Sequence, residues 1–314
     1  MSGTELAGGI VMENVSGGLR GKPAADALDR ETKETVQALR ERGVIPTLAI
    51  LRVGEKSEDL SYERGAMKRC AADGIEVRQV LLPEDVSQAE LLGRIQDLNE
   101  DSTVHGILMF RPLPKTLDEQ AACAAILPEK DVDGVTAGSM AAVYAGKGAG
   151  FAPCTAEAVI TMLRYYQVPL RGSRAVVVGR SLVIGKPVAM LLLAEHATVT
   201  ICHSRTTDLP AVTREADLVV AALGRAEFLG AEYFRAGQTV IDVGINWSGS
   251  KQKLVGDVDT EAALQAGAAV SPVPGGVGSV TTAVLASHVA RAAQGKQEKK
   301  RADILIGGYG KIIL

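Results

Sequence analysis

The segment from Pro272 to Thr282 carries the strongest chemical signal in the sequence. Two prolines and three glycines fall within residues 272–278, and an apolar run with helical character follows. Residues of these types at this density exclude the interior of an ordinary strand or helix. Glycine lets the backbone approach another group closely, and free N–H groups ahead of a helix suit a polar or anionic ligand. The segment therefore predicts either a ligand-binding loop or a tight strand-to-helix turn.

A second glycine-containing turn, residues 178–187, indicates a nucleotide site. It joins a short apolar strand to a helix and has the pattern Gly-x-Ser-x-x-x-Gly. Gly179 permits a tight turn, Gly185 lets the helix sit close to the sheet, and Pro187 fits the first helical turn. The helix N-terminus would then face the phosphates of a dinucleotide. Because many strand-to-helix turns carry glycine, this motif alone does not identify the ligand.

The end of the next strand bears on the choice between NADP and NAD. Sites for NAD usually place Asp or Glu there to hold the ribose hydroxyls, but residues 202–206 contain no carboxylate. Ser204 and Arg205 could instead hold a 2′-phosphate, with Arg180 as a second positive charge, although Arg205 could equally be a solvated surface residue. The sequence favours NADP, with NAD possible. The predicted cofactor-binding residues are Gly179, Arg180, Ser181, Ile184, Gly185, His203, Ser204, Arg205 and Thr282.

The elements that must position these residues alternate between strands and helices, which is typical of parallel β-α-β units. We predict an α/β fold of two α/β domains around a cleft, the second being a Rossmann-like dinucleotide-binding domain with a parallel sheet. The first domain covers residues 1–150, completed by 280–300, and the second covers 151–279. The predicted strands are 47–53, 76–82, 106–109, 174–179, 197–202, 218–222 and 239–243, and the predicted helices are 24–42, 61–73, 88–99, 117–125, 156–166, 186–194 and 283–291.

A tail of undetermined role, residues 295–314, ends the sequence. Residues 295–301 are basic and polar and are predicted to be solvated, whereas residues 304–314 are mostly apolar. The apolar part could dock as an edge strand or contact a partner.

Composition excludes several functional classes. Of 314 residues, 46% are hydrophobic and 23% charged, and the net charge is −3, so no basic surface favours nucleic acid. No apolar run is long enough to span a membrane, and residues 1–9 do not resemble a signal peptide. The four cysteines are far apart and form no Cys-x-x-Cys pair, which argues against a metal site or a disulfide framework. We therefore expect a cytoplasmic protein in a reducing compartment.

Several segments together resemble one family, the bifunctional methylenetetrahydrofolate dehydrogenase/cyclohydrolase proteins. The resemblance runs from about residue 19 to residue 291 and rests on the order and spacing of short motifs. It implies a folate-binding first domain, a nicotinamide-cofactor domain, a tetrahydrofolate substrate and a homodimer. The motifs are Leu51-Arg-Val-Gly54 before a helix with Tyr62, Gly106-Ile-Leu-Met-Phe-Arg-Pro-Leu-Pro114, Pro128-Glu-Lys-Asp-Val-Asp-Gly134, Pro153-Cys-Thr155, Val178-Gly-Arg-Ser181, Gly256-Asp-Val258 and Pro274-Gly-Gly-Val-Gly278.

The resemblance also implies roles for single residues. The tyrosine that matches Tyr62 stacks against the folate, the aspartate that matches Asp133 hydrogen-bonds the pterin ring, and the 274–278 loop closes around the ligand. Without the resemblance, Tyr62 could be a core or interface residue and Asp133 a turn residue before Gly134. The predicted catalytic residues are Tyr62 and Asp133, no metal is expected, and the predicted substrate-binding residues are Tyr62, Phe110, Arg111, Pro112, Asp133, Pro274, Gly275 and Gly276.

The chain departs from the family at positions that carry chemistry. The family helix reads Ser-x-x-Tyr-x-x-x-Lys, and alignment on Tyr62 places Asp59 at the serine and Ala66 at the lysine. Phe110 stands where the family strand ends in glutamine, and Ser279 replaces a proline after the last loop glycine. In the family, the lysine is implicated in cyclohydrolase catalysis and the glutamine positions it.

These departures favour an enzyme that oxidises 5,10-methylenetetrahydrofolate to the methenyl form with NADP and lacks, or nearly lacks, cyclohydrolase activity. Hydrolysis of a methenyl cation needs a general acid or base with a tuned pKa, which alanine cannot supply. Hydride transfer needs mainly the positioning of two rings. Three alternatives stay open: a bifunctional enzyme in which Lys68 or Arg111 substitutes, a non-catalytic folate-binding paralogue, and a pocket reshaped for a modified folate or a different imine.

Overall fold

The computed structural model describes the backbone of residues 18–309 and the side chains of these residues except 58 and 297–309. Within this range the chain forms two compact units. The first unit comprises Ala25–Cys154 and the chain from Thr281 onwards, and the second unit comprises Thr155–Val280 and the described residues up to Ala24. The predicted fold class, two α/β domains with parallel sheets, is confirmed.

The described part of the chain contains ten α-helices and ten strands, besides short 3₁₀ turns. The helices are α1 (Gly21–Arg40), α2 (Ser57–Asp73), α3 (Gln88–Glu100), α4 (Glu119–Ala125), α5 (Ala137–Ala145), α6 (Cys154–Tyr165), α7 (Gly185–Ala194), α8 (Leu209–Arg214), α9 (Thr260–Gln265) and α10 (Thr281–Tyr309). The strands are β1 (Thr47–Val53), β2 (Glu76–Leu82), β3 (Gly106–Met109), β4 (Arg174–Val178), β5 (Thr198–Cys202), β6 (Leu218–Ala221), β7 (Thr239–Asp242), β8 (Asn246–Ser248), β9 (Lys253–Val255) and β10 (Ala269–Val270).

The sheet of the first unit has three parallel strands in the order β2-β1-β3. The central strand β1 is buried along its whole length, which explains the apolar run Leu48–Leu51 at its centre. Apolar side chains of α3 and α4 form one core with β1 and β3, and α10 packs against α2, β1 and β3. The carboxyl ends of β1 and β3 therefore lie at one edge, next to the start of α2.

The sheet of the second unit has five parallel strands in the order β10-β7-β6-β4-β5, and β8 and β9 form a separate hairpin. The chain passes from β4 to β5 on one side and then to β6 on the other side of β4. This reversal makes the carboxyl ends of β4 and β6 a topological switch point, where open α/β sheets place their ligands.

Three differences from the sequence-based elements have physical causes. Helix α2 begins at Ser57 rather than at residue 61, because its N-cap, Lys56, makes no side-chain capping hydrogen bond and so leaves no cap signal. The elements α5, α8, α9, β8, β9 and β10 are too short to give a periodic pattern. Residues 304–309 continue α10, so an edge strand is wrong for them, while residues 310–314 lie outside the described residues.

Three further expectations concern the cysteines, a metal site and helices that could cross a membrane. All four cysteines are free, and Cys154 and Cys202 are buried as predicted. In the part of the chain that the structure describes, no cluster of three or more His, Cys, Asp or Glu residues could hold a metal ion. None of the helices described there combines the length and apolar character needed to cross a membrane.

Candidate active site

Tyr62 is held at the edge of the first sheet by a buried ion pair. Arg52 at the end of β1 donates from Nε to Glu63 Oε2 on α2 at 2.9 Å, and both side chains are buried. Gln79 of β2 also donates to Glu63. Because a buried charge is stable only when it is paired and hydrogen-bonded, this contact fixes the first turns of α2 against the sheet. Tyr62, one residue before Glu63, is thereby fixed as well.

Tyr62 and Phe110 form an aromatic pair at this edge. Their ring centroids lie 5.9 Å apart with an interplanar angle of 82°, an edge-to-face arrangement. Burial raises the pKa of the Tyr62 phenol well above its usual value, so this group is neutral at physiological pH. The pair can therefore position a flat ring, but the phenol is a poor proton acceptor.

No acid or base stands one helical turn after Tyr62. Ala66 occupies that position and is fully buried. Lys68, the nearby lysine considered as a substitute, is exposed on α2. Residues two apart on a helix point in different directions, which explains why burial of Ala66 leaves Lys68 in solvent.

Asp133 lies on a turn that is held by a second aspartate. Asp131 is fully buried and accepts hydrogen bonds from Val135 N at 2.9 Å, Thr136 N at 2.8 Å and Ser139 Oγ at 2.6 Å. These bonds order the loop into α5. Asp131 is thus a structural carboxylate. The other carboxylate of this turn, the partly buried Asp133, is the candidate for binding a ligand.

The electrostatics of Asp133 are set by burial. Loss of water raises the pKa of its carboxyl group to about 6; the positive charge of Arg111 opposes this shift and the charge of Asp131 adds to it. The Cys154 thiol donates to Val132 O at 3.2 Å and also opposes the rise in the pKa of this carboxyl group. His288 Nδ1 lies 2.8 Å from the same carbonyl oxygen. Sequence reasoning missed these roles of Cys154 and His288.

Two cations lie at the turn after β3. Arg111 Nη1 is 3.7 Å from Glu119 Oε1, whereas its Nε is buried and donates to no other described residue. Lys56 Nζ is 2.5 Å from Pro112 O. Lys56 was not predicted from sequence, because only the folded turn brings it beside residues 111–112. Its exposed position makes it a rim residue of the site.

In the second unit, the β4–α7 turn requires glycine at both predicted positions. Gly179 has φ +135°, and a Cβ added there would lie 2.1 Å from Ala222 O at the end of β6. A Cβ on Gly185 would lie 2.3 Å from Gly179 O. Ser181 Oγ accepts a hydrogen bond from Ile184 N at 3.1 Å and shapes the turn. Glycine at both positions thus allows the close packing of strand, turn and helix that is typical of turns that bind a pyrophosphate.

The end of β5 lies next to β4 and carries polar groups but no carboxylate. Gly179 N donates to Cys202 O at 2.9 Å, and Arg205 N donates to His203 Nδ1 at 3.1 Å. The side chains of Ser204 and Arg205 are exposed, as is that of Arg180 on the neighbouring turn. These residues fit a dinucleotide with an additional phosphate on its ribose.

The Pro274–Gly278 loop lines a cavity of about 260 Å³ together with Asp242 and Ile245. Gly21 N donates to Gly275 O at 2.8 Å, which ties the loop to the start of α1. The N–H groups of Gly275 and Gly276 donate to no other residue among those described. They are available to a polar ligand, as the sequence suggested.

Two further aspartates organise the loops around this cavity, and sequence reasoning did not assign them. Asp257 is fully buried and accepts from Leu223 N, Gly224 N, Arg225 N and Asn246 Nδ2. Asp242 accepts from Gly244 N, Asp257 N and Val258 N, and burial raises the pKa of its carboxyl group to about 6. A Cβ on Gly256 would overlap Asp242 Oδ2, which explains the Gly256-Asp257-Val258 motif.

The structure thus brings Tyr62, Phe110, Arg111 and Asp133 into the first unit and the β4–α7 turn with the end of β5 into the second. Pro112 lies exposed at the turn after β3. Thr282 lies in the first turn of α10, in the first unit, and its contact with a cofactor stays a prediction.

Comparisons with known proteins match two family models to successive parts of the chain. The family model for the tetrahydrofolate dehydrogenase/cyclohydrolase catalytic domain matches residues 19–133, and that for the NAD(P)-binding domain of the same proteins matches residues 153–298. The bifunctional protein FolD of Clostridioides difficile is 49% identical over 281 residues, which are 90% of this chain and 98% of the relative.

Two crystal structures illustrate the similarity of the fold. The FolD dehydrogenase/cyclohydrolase of Campylobacter jejuni has a TM-score of 0.85 and 37% identity, covering 88% of this chain and 98% of that one. The Trypanosoma brucei FolD, complexed with NADP cofactor and inhibitor, has a TM-score of 0.80 and 36% identity, covering 88% of this chain and 96% of that one.

Replacement of Gly179 by alanine should weaken dinucleotide binding. The added Cβ would collide with Ala222 O and require a backbone conformation that alanine rarely adopts, so the turn must open. We expect the Kd for NADP, measured by calorimetry, to rise about tenfold or more. Gly249→Ala is the matched control, because its Cβ would meet nothing within 4 Å. An unchanged Kd in a folded Gly179→Ala protein would contradict the role of this turn.

Proposed function

Because the chain belongs to the tetrahydrofolate dehydrogenase/cyclohydrolase family, we propose that it oxidises 5,10-methylenetetrahydrofolate to the 5,10-methenyl form with NADP and lacks, or nearly lacks, cyclohydrolase activity. One observation carries the proposal. The position that the family uses for its lysine holds a fully buried alanine, Ala66, while the residues for ring positioning and for the dinucleotide turn are present.

Hydride transfer is served by positioning alone. The edge-to-face pair of Tyr62 and Phe110 offers a rigid aromatic wall for the folate ring, and the Asp133 carboxylate accepts hydrogen bonds from pterin N–H groups. The bound nicotinamide supplies the hydride acceptor. The methenyl product is a cation stabilised by its two nitrogens, so no proton has to move in this step. The neutral Tyr62 phenol is compatible with such a site.

NADP is proposed as the cofactor on two grounds. Among residues 202–206, no carboxylate is present to hold a ribose 2′-hydroxyl, whereas Ser204, Arg205 and Arg180 can meet a 2′-phosphate. The Trypanosoma brucei relative is described as a complex with NADP cofactor. Within the second unit, Gly179 and Gly185 allow the tight turn that would receive the pyrophosphate.

Hydrolysis of the methenyl product lacks the lysine that the family resemblance assigns to it, and Asp133, whose carboxyl pKa is about 6, is assigned to hold the pterin ring. Water addition and ring opening require a group that gives and takes protons near neutral pH. In this chain Ala66 replaces the family lysine, and Phe110, which packs its ring against Tyr62, replaces the glutamine that positions it. Together, the two replacements remove the groups for proton transfer in the hydrolysis and keep the groups that position the rings for hydride transfer.

A second candidate is a bifunctional enzyme with a substitute cation. The relatives carry the name bifunctional protein FolD, and the turn after β3 supplies Arg111 and Lys56. The charge of Arg111 opposes the rise in the pKa of Asp133. Its Nε is buried and has no hydrogen-bond partner among the described residues, so Arg111 could polarise a water molecule. Arginine is a poor proton donor because it is always charged. Lys56 is the better donor chemically, and its exposure argues for a rim position.

The two candidates differ in the fate of the methenyl product. Purified protein with methylenetetrahydrofolate and NADP should accumulate methenyl product one for one with reduced cofactor, followed by absorbance at neutral pH. The methenyl product should decay no faster than it does without protein, because the side chain of Ala66 cannot act as an acid or base. Faster decay would refute the loss of cyclohydrolase activity, and Lys56→Ala and Arg111→Ala would then locate the substitute.

The double substitution Ala66→Lys with Phe110→Gln tests whether restoring the two family residues restores cyclohydrolase activity. It should create measurable methenyl hydrolysis if these positions account for its absence. Lys68→Ala is the control and should change neither activity, because Lys68 is exposed. A double variant that still binds NADP and oxidises substrate but gains no hydrolysis would count against the assignment.

Asp133 should impose an acid limit on the dehydrogenase. Its carboxyl pKa of about 6 means that the group is ionised at pH 7 and loses its acceptor charge as the pH falls through 6. We expect kcat/KM to fall about tenfold per pH unit below this value. Asp133→Asn should lower kcat/KM at pH 7 and abolish this acid limb of the pH profile. The substitution Asp85→Asn, at an exposed residue, should preserve the acid limb. A limb that persists in Asp133→Asn would assign it to another group.

A homodimer is proposed through the β8–β9 hairpin. Ile245, Trp247 and Leu254 are 64%, 62% and 42% exposed on and beside this hairpin, an apolar surface that a second copy could cover. Analytical ultracentrifugation should show a dimer, and Trp247→Glu should shift it towards the monomer. A wild-type protein that sediments as a monomer at micromolar concentration would overturn this.

A further inference from the structure

A second cavity of about 650 Å³ lies in the first unit, at the amino end of β3 and therefore at the opposite end of that strand from Phe110. Its volume is in the range of pockets that bind small organic molecules. Val104, Leu127 and Phe151 give it apolar walls. Its polar and charged lining side chains are Asn99, His105, Glu129, Lys130, Arg291 and Lys296.

His105 offers a hydrogen-bond donor to this cavity. Only 8% of its surface is exposed, and its Nδ1 accepts a hydrogen bond from Thr47 N at 3.2 Å. The neutral ring therefore carries its proton on Nε2. Among the described residues, none forms a hydrogen bond with Nε2. A buried donor of this kind is stabilised when a ligand or water accepts from it.

The charge around His105 is positive. Lys130 Nζ donates to Leu98 O and Asp101 O, each at 2.7 Å, and Lys296 Nζ donates to Ser102 O at 2.7 Å. Burial lowers the pKa of His105 to about 4 and that of Lys130 to about 8, and the charge of Lys296 lowers both further while Asp101 opposes this. The other charged groups of the lining are Arg291 and Glu129.

The loop of residues 148–151 forms one side of the cavity and offers N–H groups to a ligand. Residues 148–151 line the cavity, and none of their N–H groups donates to another residue that the structure describes. Gly148 and Gly150 have φ values of 129° and 105°, a backbone conformation that glycine adopts readily and other residues rarely do. Successive free N–H groups are a common means of binding an anion.

We propose that this cavity binds a small aromatic anion, with its acidic group at His105, Lys296 and the 148–151 loop and its ring against Val104, Leu127 and Phe151. The apolar walls account for the ring, and the donors and positive charge account for the acid. A carboxylate and a phosphate share this chemistry. The site is separate from the proposed substrate site, because the two lie at opposite ends of β3.

Nuclear magnetic resonance on the full-length protein tests the proposal with defined probes. Benzoate and phenyl phosphate distinguish a carboxylate from a phosphate; benzamide lacks the charge and inorganic phosphate lacks the ring. At least one aromatic anion should shift the amide signals of residues 148–151 with a Kd of about 1 mM or lower. It should also raise the pKa of His105 by about one unit or more, because an anion favours the protonated ring.

Variants separate this cavity from the rest of the surface. Lys296→Ala should weaken binding about tenfold, and Ala292→Trp should block it by filling the cavity, while the exposed Lys115→Ala should bind normally. The proposal is overturned if neither aromatic anion shifts these signals, if Lys296→Ala binds normally, or if benzamide or inorganic phosphate binds as tightly as its aromatic anionic counterpart.

Discussion

Buried carboxylates that accept backbone N–H groups are the constraint on which the functional loops depend. Asp131, Asp242 and Asp257 are each at most 1% exposed, and each accepts at least three hydrogen bonds. Removing a carboxylate from water is costly, and several charge-assisted hydrogen bonds offset that cost only in one loop geometry. The loops beside Asp133, after β6 and after β7 are thereby fixed without regular secondary structure.

The same logic explains which proton chemistry the first unit can support. Its buried ionisable groups are either paired, as Arg52 and Glu63 are, or shifted towards their neutral form, as Tyr62 is. Asp133 is the group with a pKa near neutrality beside the aromatic pair, and Arg111 keeps it from rising further. Such a site is suited to holding a polar ring in place.

The strands of the first unit were predictable to the residue. Strands β1 and β3 are mostly apolar, and β2, although it contains three polar residues, lies between Gly74 and Pro83 and ends in an apolar run. The start of α2 was not, because Lys56 gives no capping signal. Tyr62 and the glycines of the β4–α7 turn were recognisable from local motifs. The partnerships of Lys56 with Pro112, of His288 with Val132 and of Asp257 with the β6 loop join distant parts of the chain, and no local pattern reports them.

The Tyr62–Phe110 pair has a consequence for inhibitor selectivity. At this edge of the first unit the chain presents a buried alanine, Ala66, and the aromatic ring of Phe110. If folate binds at the proposed site, an analogue that directs a carboxylate towards Ala66 would leave that charge without a counter-ion, whereas one with an aromatic or halogenated substituent would pack against Phe110. These two side chains would thus favour an apolar substituent over a charged one in an antifolate.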